Sequence, residues 1–452
     1  MEDLTRPTQR PKAFHIMSKP MGPICNLDCT YCYYLEKENL YSKTDKFRMS
    51  GPVLEEYIRQ NIESQEVPVV EFAWQGGEPT LLGVDYFRKV VELQKKYANG
   101  KQITNAFQTN GTLLNDEWGE FFAKEQFLIG LSVDGPEELH DPFRYNKGGK
   151  GSFEQVMRGL GYLKKHGAEF NTLTVVNSLN QEHPLKVYNF LKEIGSTFMQ
   201  FIPIVERIAD DAEVDLQLVN PTYKGGARVA EWSVDGKQYG VFLSKIFDEW
   251  VRKDVGKHFV QIVDIALSGW LGMEPPLCIF KKDCGEALVM EHNGDVYSCD
   301  HFVYPEYKLG NILERPLHSM VWSKPQKRFG EDKSATLTRQ CQDCEVRFVC
   351  NGGCPKNRVG KSIHDEFGQN YLCEGYYHFF KHIDPYMRFM ANELRNERPP
   401  ANVMEWVRAQ DQSNTTFIPP KPKQEGQARA IGRNSSCPCG SGKRYKRCCG
   451  KK

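Results

Sequence analysis

Fifteen cysteines in three fields constrain this chain more than any other feature of it. Cys25, Cys29 and Cys32 stand as C-x3-C-x2-C, and no cysteine follows until Cys278. Eight lie from Cys278 to Cys373, and the last four are Cys437, Cys439, Cys448 and Cys449. In a reducing compartment they would not pair as disulfides, and an odd number could not all pair anyway. They are expected to bind metal. A cubane iron-sulfur cluster held entirely by protein takes four thiolates, so the first field is one ligand short and would leave an iron open to a chelating small molecule. The alternative is a structural zinc completed by His15 or Asp28. Zinc sites prefer paired C-x2-C knuckles closed by a second pair, which speaks against it.

At 452 residues, with 40% hydrophobic and 26% charged residues, the chain has material for a full core and two or three domains. Its first residues are polar, and no apolar run approaches the length that crosses a bilayer. The expectation is a cytoplasmic protein, neither exported nor membrane-spanning. Charge is uneven. Residues 421–452 hold ten Lys/Arg against one acidic residue, a tail of +9 on a chain whose net is +1, leaving −8 for the rest. Such a tail suggests an accessory module rather than a protein built around nucleic acid.

From residue 13 to about 206, β-rich apolar runs alternate with amphipathic helical stretches. Strands are predicted at 13–21, 69–75, 103–108, 127–133, 169–176 and 197–203. Helices are predicted at 53–63, 84–97, 115–125, 153–166 and 184–194. Six βα units make an α/β fold, a partial (β/α)6 barrel of the TIM type, and the near-continuous apolar run 127–133 suits a strand buried on both faces. Chemistry in such barrels sits on the loops after the strands. The three-cysteine loop, Gln75-Gly76-Gly77-Glu78, Thr109-Asn110-Gly111 and Ser132-Val133-Asp134 all fall there. Residues 207–237 break the pattern as a connection, and a helix is predicted at 238–253.

The first field resembles the signature of the radical S-adenosylmethionine (SAM) superfamily, in which SAM fills the open iron position. That resemblance implies SAM contacts at Gly76, Gly77 and Glu78, with Ser132, Asp134 and Arg144 as partners for its carboxylate and ribose. Tyr34 would line the adenine or the substrate side, and Gln75 would help hold a substrate peptide. Each has a plain structural alternative: a tight turn for the glycines, a surface ion pair for the polar groups, a shield over the cluster for Tyr34.

In the second field, Asn293-Gly294 between 288–291 and 296–299 signals a hairpin, with Cys299 and Asp300 at the end of the return strand. The layout of the eight cysteines resembles the SPASM extension of radical SAM enzymes, and its spacing is similar to that of anaerobic sulfatase-maturating enzymes, over about residues 13–380. The resemblance implies two auxiliary [4Fe-4S] clusters, one on Cys278, Cys284, Cys299 and Cys354 and one on Cys341, Cys344, Cys350 and Cys373. It also implies that Asp300 is the general base, a carboxylate within reach of the substrate proton; His301 is the alternative. Sets of four thiolates also suit zinc, so paired zinc knuckles stay open here.

The third field, C-x-C-x8-C-C with basic flanks, resembles the SEC-C zinc module, which implies zinc on Cys437, Cys439, Cys448 and Cys449 and a docking role toward another protein. So short a segment needs a metal to close it. The expected organisation is a radical SAM barrel over 1–240, a helical connection over 241–275, a SPASM domain over 276–380, a helix (381–410) and linker to 430, and the zinc module over 431–452. The function the resemblance implies is anaerobic oxidation of a cysteine or serine in an unfolded sulfatase to Cα-formylglycine. A flavodoxin- or ferredoxin-type protein would donate the electrons. Alternatives are a radical SAM/SPASM maturase of another peptide and a non-catalytic zinc-binding adaptor.

Overall fold

Six parallel strands run in sequence order around the body of the molecule: β1 (His15–Lys19), β2 (Val69–Trp74), β3 (Gln102–Thr109), β4 (Phe127–Ser132), β5 (Phe170–Val176) and β6 (Phe198–Pro203). The computed structural model describes residues 13–211 and 216–413. Helices Gly51–Glu63, Val84–Tyr97, Asp116–Lys124, Phe153–His166 and Pro184–Glu193 return the chain between strands, the connection that parallel strands require. Local chemistry fixes their ends. Ser50 and Asn115 cap their helices by accepting from Val53 N and Trp118 N, satisfying donors that a helix start leaves free.

The core lies between strands and helices. Val70, Phe72 and Trp74 of β2 face it, and Phe87, Phe107, Trp118, Phe122 and Phe127 pack there edge to face or tilted. The inner face differs from expectation. Leu128 of β4 is 40% exposed, so this strand is not buried on both sides. A closed barrel fills its interior with layers of side chains; this incomplete one leaves inward positions open.

The sheet has ten strands rather than six. β7 (Arg207–Ala209) and β8 (Ala227–Val229) form a separate small ribbon within the connection. β9 (Phe259–Val260) extends the sheet beyond β6, and β10 (Ala287–Glu291), β11 (Asp295–Tyr297) and β12 (Lys308–Asn311) extend it at the other edge, in the order β12-β11-β10-β1. β10 and β11 are the hairpin expected around Asn293-Gly294. β10 pairs in parallel with β1, Lys19 opposite Glu291, so the second cysteine field is stitched onto the barrel.

One helix differs from its expected bounds. It runs Cys373–Arg395, starting earlier than residue 381 because Tyr376, Phe379, Phe380 and Ile383 already form its buried stripe. It stops at Asn396 because Pro399 and Pro400 lack N–H donors and disfavour helix before them. The compact unit ends at Glu405; the described residues after it belong to a helix, Val403–Ser413. Among the described residues no helix is long and apolar enough to cross a membrane. Cys437, Cys439, Cys448 and Cys449 lie outside the described residues.

Candidate active site at the barrel mouth

The loop after β1 carries Cys25, Cys29 and Cys32, and backbone bonds hold it in place. Asp28 N and Thr30 N donate to Tyr145 O and Phe143 O, and Cys32 N donates to Cys29 O. Asn110 reaches from the β3 loop, donating to Asn26 Oδ1 at 2.9 Å and to Cys25 Sγ at 3.7 Å. Burial pushes the Cys25 and Cys29 thiols up to about 12 and raises Cys32 too. Thiols raised in this way lose their protons only against a compensating positive charge, which a metal centre provides.

Gly76 and Gly77 dock against the entrance of that loop. Gly77 N and Glu78 N donate to Gly22 O and Ile24 O. A Cβ on Gly77 would lie 1.9 Å from Ile24 O, so backbone meets backbone there and only glycine fits. Glu78 is fully buried. Its Oε1 accepts from Thr80 N, Thr80 Oγ1 and Thr109 Oγ1, and its Oε2 accepts from Asn110 N at 2.7 Å. Both oxygens are therefore engaged in bracing the β2 and β3 loops.

Ser132 ends β4, and Asp134 and Arg144 lie between it and the helix Phe153–His166. Ser132 Oγ accepts from Gln108. Asp134 is buried; it accepts from Val175 N at 2.9 Å and from the Tyr31 hydroxyl. Arg144 donates to that same hydroxyl at 2.9 Å, while its buried Nε has no partner. Tyr31, between two of the cysteines, thus links Asp134 to Arg144.

Asp300 is half-buried beside Cys299. Tyr33 donates to its Oδ2 at 3.2 Å. Burial alone would raise its carboxyl, but His301, Lys19 and hydrogen bonds from Cys299 and Tyr33 outweigh that and hold it below the usual carboxylate range. It stands ionised in the fold, with its oxygens accepting from Tyr33 and Cys299. Lys19 is buried at the end of β1, its ammonium 3.4 Å from the centre of the Tyr34 ring. Tyr34 itself belongs to a small core with Val289, Tyr297 and Val303 and donates to Glu291. Gln75 Oε1 is buried without a partner, an acceptor awaiting a donor.

The eleven described cysteines are free thiols. Cys354 raises the thiols of Cys278, Cys284 and Cys299, after burial itself, and Cys341 and Cys344 do the same to Cys350 and Cys373. Among the described residues no three His, Cys, Asp or Glu side chains converge tightly enough for a lone ion. The set of Cys341, Cys344, Cys350 and Cys373 lines a cavity of about 830 Å³. Soft thiolates around such a space fit an iron-sulfur core. Polar groups reach the sulfurs: Gln369 donates to Cys373 Sγ at 2.8 Å. Near the other set, buried Lys333 donates to Cys278 O at 2.6 Å and to Ile279 O at 3.0 Å.

Sequence reasoning missed Tyr31, Tyr33, Lys19 and Lys333. The aromatic flanks of the cysteine loop and a lysine ending a buried strand were visible signals; Lys333, in a polar helix, gave none.

A family model described as the Radical SAM superfamily matches residues 20–191, one described as an iron-sulfur cluster-binding domain (SPASM) matches 282–345, and one described as the SEC-C motif matches 433–451. The chain is 52% identical over 393 residues to a serine-type anaerobic sulfatase-maturating enzyme of Bacteroides thetaiotaomicron, covering 87% of this chain and 95% of that one. It is 33% identical over 386 residues to a cysteine-type enzyme of Clostridium novyi, covering 85% and 98%. A solved structure, native anSMEcpe with bound AdoMet and Cp18Cys peptide, matches with a TM-score of 0.73 at 31% identity, covering 84% of this chain and all of that one. Streptococcus suis SuiB shares the fold alone, at 15% identity and a TM-score of 0.54.

Proposed function

The chain belongs to the anaerobic sulfatase-maturating enzymes of the radical SAM superfamily, and from that premise we propose that it oxidises a serine, and also a cysteine, of a sulfatase polypeptide to Cα-formylglycine. It is an enzyme that matures sulfatases with SAM and iron-sulfur centres, and the adaptor alternative falls with that. The observation that carries the finer reading is the 52% identity, over nearly the whole length, to a serine-type relative.

The proposed cofactors are three [4Fe-4S] clusters, on Cys25, Cys29 and Cys32, on Cys278, Cys284, Cys299 and Cys354, and on Cys341, Cys344, Cys350 and Cys373, with zinc on Cys437, Cys439, Cys448 and Cys449. When bound, the metal centres and SAM supply the radical that takes a hydrogen atom from the substrate Cβ and the sink for the remaining electron. The chain supplies position and the proton acceptor. Gly76 and Gly77 bring the β2 loop against the cysteine loop, and Glu78 keeps both in register with Asn110. Arg144, with its unpartnered Nε, Ser132 and Asp134 would hydrogen-bond the SAM carboxylate and ribose. Gln75 offers its unpartnered acceptor to the peptide, and Asp300 takes the hydroxyl or thiol proton. Tyr33 orients Asp300 by the bond to Oδ2. We place the enzyme in a reducing cytoplasm, where an odd number of cysteines need not pair and a flavodoxin- or ferredoxin-type donor is available.

The test is anaerobic turnover of the reconstituted full chain with SAM, a strong reductant and matched Ser-x-Pro-x-Arg and Cys-x-Pro-x-Arg peptides. Aldehyde from both, with 5′-deoxyadenosine, supports the assignment. SAM cleavage that leaves both peptides unchanged overturns it.

A further inference from the structure

One pocket beside the site is built yet unused by the proposed chemistry. It lies between the segment after Cys32, the residues following β6, and the stretches after Cys299 and Cys354, and Tyr33, Lys37, Glu206, His301, Tyr304 and Lys356 line it. Tyr33 is the residue that holds Asp300, so the pocket opens one side chain away from the proton acceptor. Its free space is about 10 Å³, room for one oxygen-sized group.

Two polar atoms at this pocket are buried and unmatched: Lys37 Nζ and His301 Nδ1. Lys37 is only 3% exposed. Its ammonium sits over the Tyr304 ring, 3.4 Å from the centre. A ring face covers one side of a cation and leaves its N–H donors without an acceptor. Lys356 binds Glu206 Oε1, and Lys37 Nζ has no hydrogen-bond partner of its own. A buried ammonium without a hydrogen-bond acceptor is costly, and it persists here beside the place where a polypeptide must present one residue to Asp300.

We propose that Lys37, with His301 beside it, binds a main-chain carbonyl oxygen of the substrate polypeptide next to the residue being oxidised. This rests on the polypeptide substrate assigned above. A carbonyl matches the size of the space and accepts from an N–H donor, and every peptide carries one, so the anchor fixes the backbone without demanding a particular flanking side chain. Its occupant displaces whatever water the free enzyme holds there.

The experiment is a direct binding titration of a fluorescein-labelled Cys-x-Pro-x-Arg peptide on the anaerobically reconstituted, SAM-loaded full chain, followed by turnover. Lys37→Met keeps the length of the side chain and removes the donors. It is expected to weaken peptide binding roughly 10-fold, the value of one hydrogen bond from a buried donor, and to raise KM accordingly while kcat and SAM cleavage stay near wild type. Lys37→Arg is expected to restore most of the affinity. A thermal melt of each variant separates loss of binding from loss of fold. Unchanged peptide affinity in a folded Lys37→Met overturns the anchor, as does a fall in kcat at unchanged affinity, which would mark a bound water or the chemistry itself. If the wild-type enzyme neither binds nor converts the peptide, the substrate assignment fails first and takes the anchor with it.

Discussion

Tyr33 Oη donates to Asp300 Oδ2 at 3.2 Å, joining the loop of the first cysteine field to the residue after Cys299. The bond crosses 267 positions of sequence and ties the segment that would hold SAM to the group that would take the substrate proton. Tyr33→Phe removes only the hydroxyl. A hydrogen bond to a charged group contributes ~1.5–3 kcal/mol, so formylglycine formation is expected to fall roughly 10-fold or more while SAM cleavage continues. The ratio of aldehyde to 5′-deoxyadenosine measures it. An unchanged ratio would detach Tyr33 from the reaction.

Glu78 should matter to stability. Glu78→Gln sets an amide donor where Asn110 N now finds an acceptor. The buried mismatch costs about 1–3 kcal/mol, seen as a lower Tm of the reconstituted protein. Gly77→Ala, with its Cβ against Ile24 O, is expected to displace the cysteine loop and lower iron content by about four atoms, one cubane, with the auxiliary sets retained.

Lys37 gives a pH signature. Burial pushes its ammonium from 10.5 down to about 7, partly offset by Glu206, Glu36 and Glu291 and reinforced by Lys19. Between about 7 and 10.5 the unfolded chain therefore holds a proton that the folded chain has lost, and wild-type stability rises with pH across that window. Lys37→Met lacks this slope. Its advantage in Tm over wild type is expected to be largest at pH 7 and to shrink toward pH 10; a constant difference would contradict the assigned burial.

Lys333 donates to the carbonyls of Cys278 and Ile279 and keeps a cation near the set of Cys278, Cys284 and Cys354. A fixed positive charge favours the reduced, more negative state of a cluster held there. Lys333→Met is expected to lower the midpoint potential of that cluster in an EPR-monitored redox titration and to leave the others in place.

Much of this fold is legible locally. Helices 84–97 and 153–166 match the sequence reading end to end, because their apolar stripes and flanking turns are written within one segment. The expected barrel strands differ from the observed ones only at their ends. What escaped is non-local. Nothing near β10 announces that it pairs with β1 and sets Glu291 beside Lys19, and the exposure of Leu128 follows from a barrel that does not close. The cysteines were legible because metal sites demand a residue type. Lys37 was not, since a lysine acquires a role only from what the fold brings to it, and Tyr33 showed only as an aromatic flank of the cysteine loop. Tyr34, legible as an aromatic after Cys32, turned out to be packed in a core, with its hydroxyl on Glu291.

The most direct test of the account is Asp300→Asn, assayed anaerobically with SAM, reductant and the serine and cysteine peptides, aldehyde and 5′-deoxyadenosine being quantified together. The account predicts that the variant still cleaves SAM but loses aldehyde by roughly 100-fold or more, the scale of a missing general base. Conversion of either peptide at the wild-type rate by Asp300→Asn would contradict it.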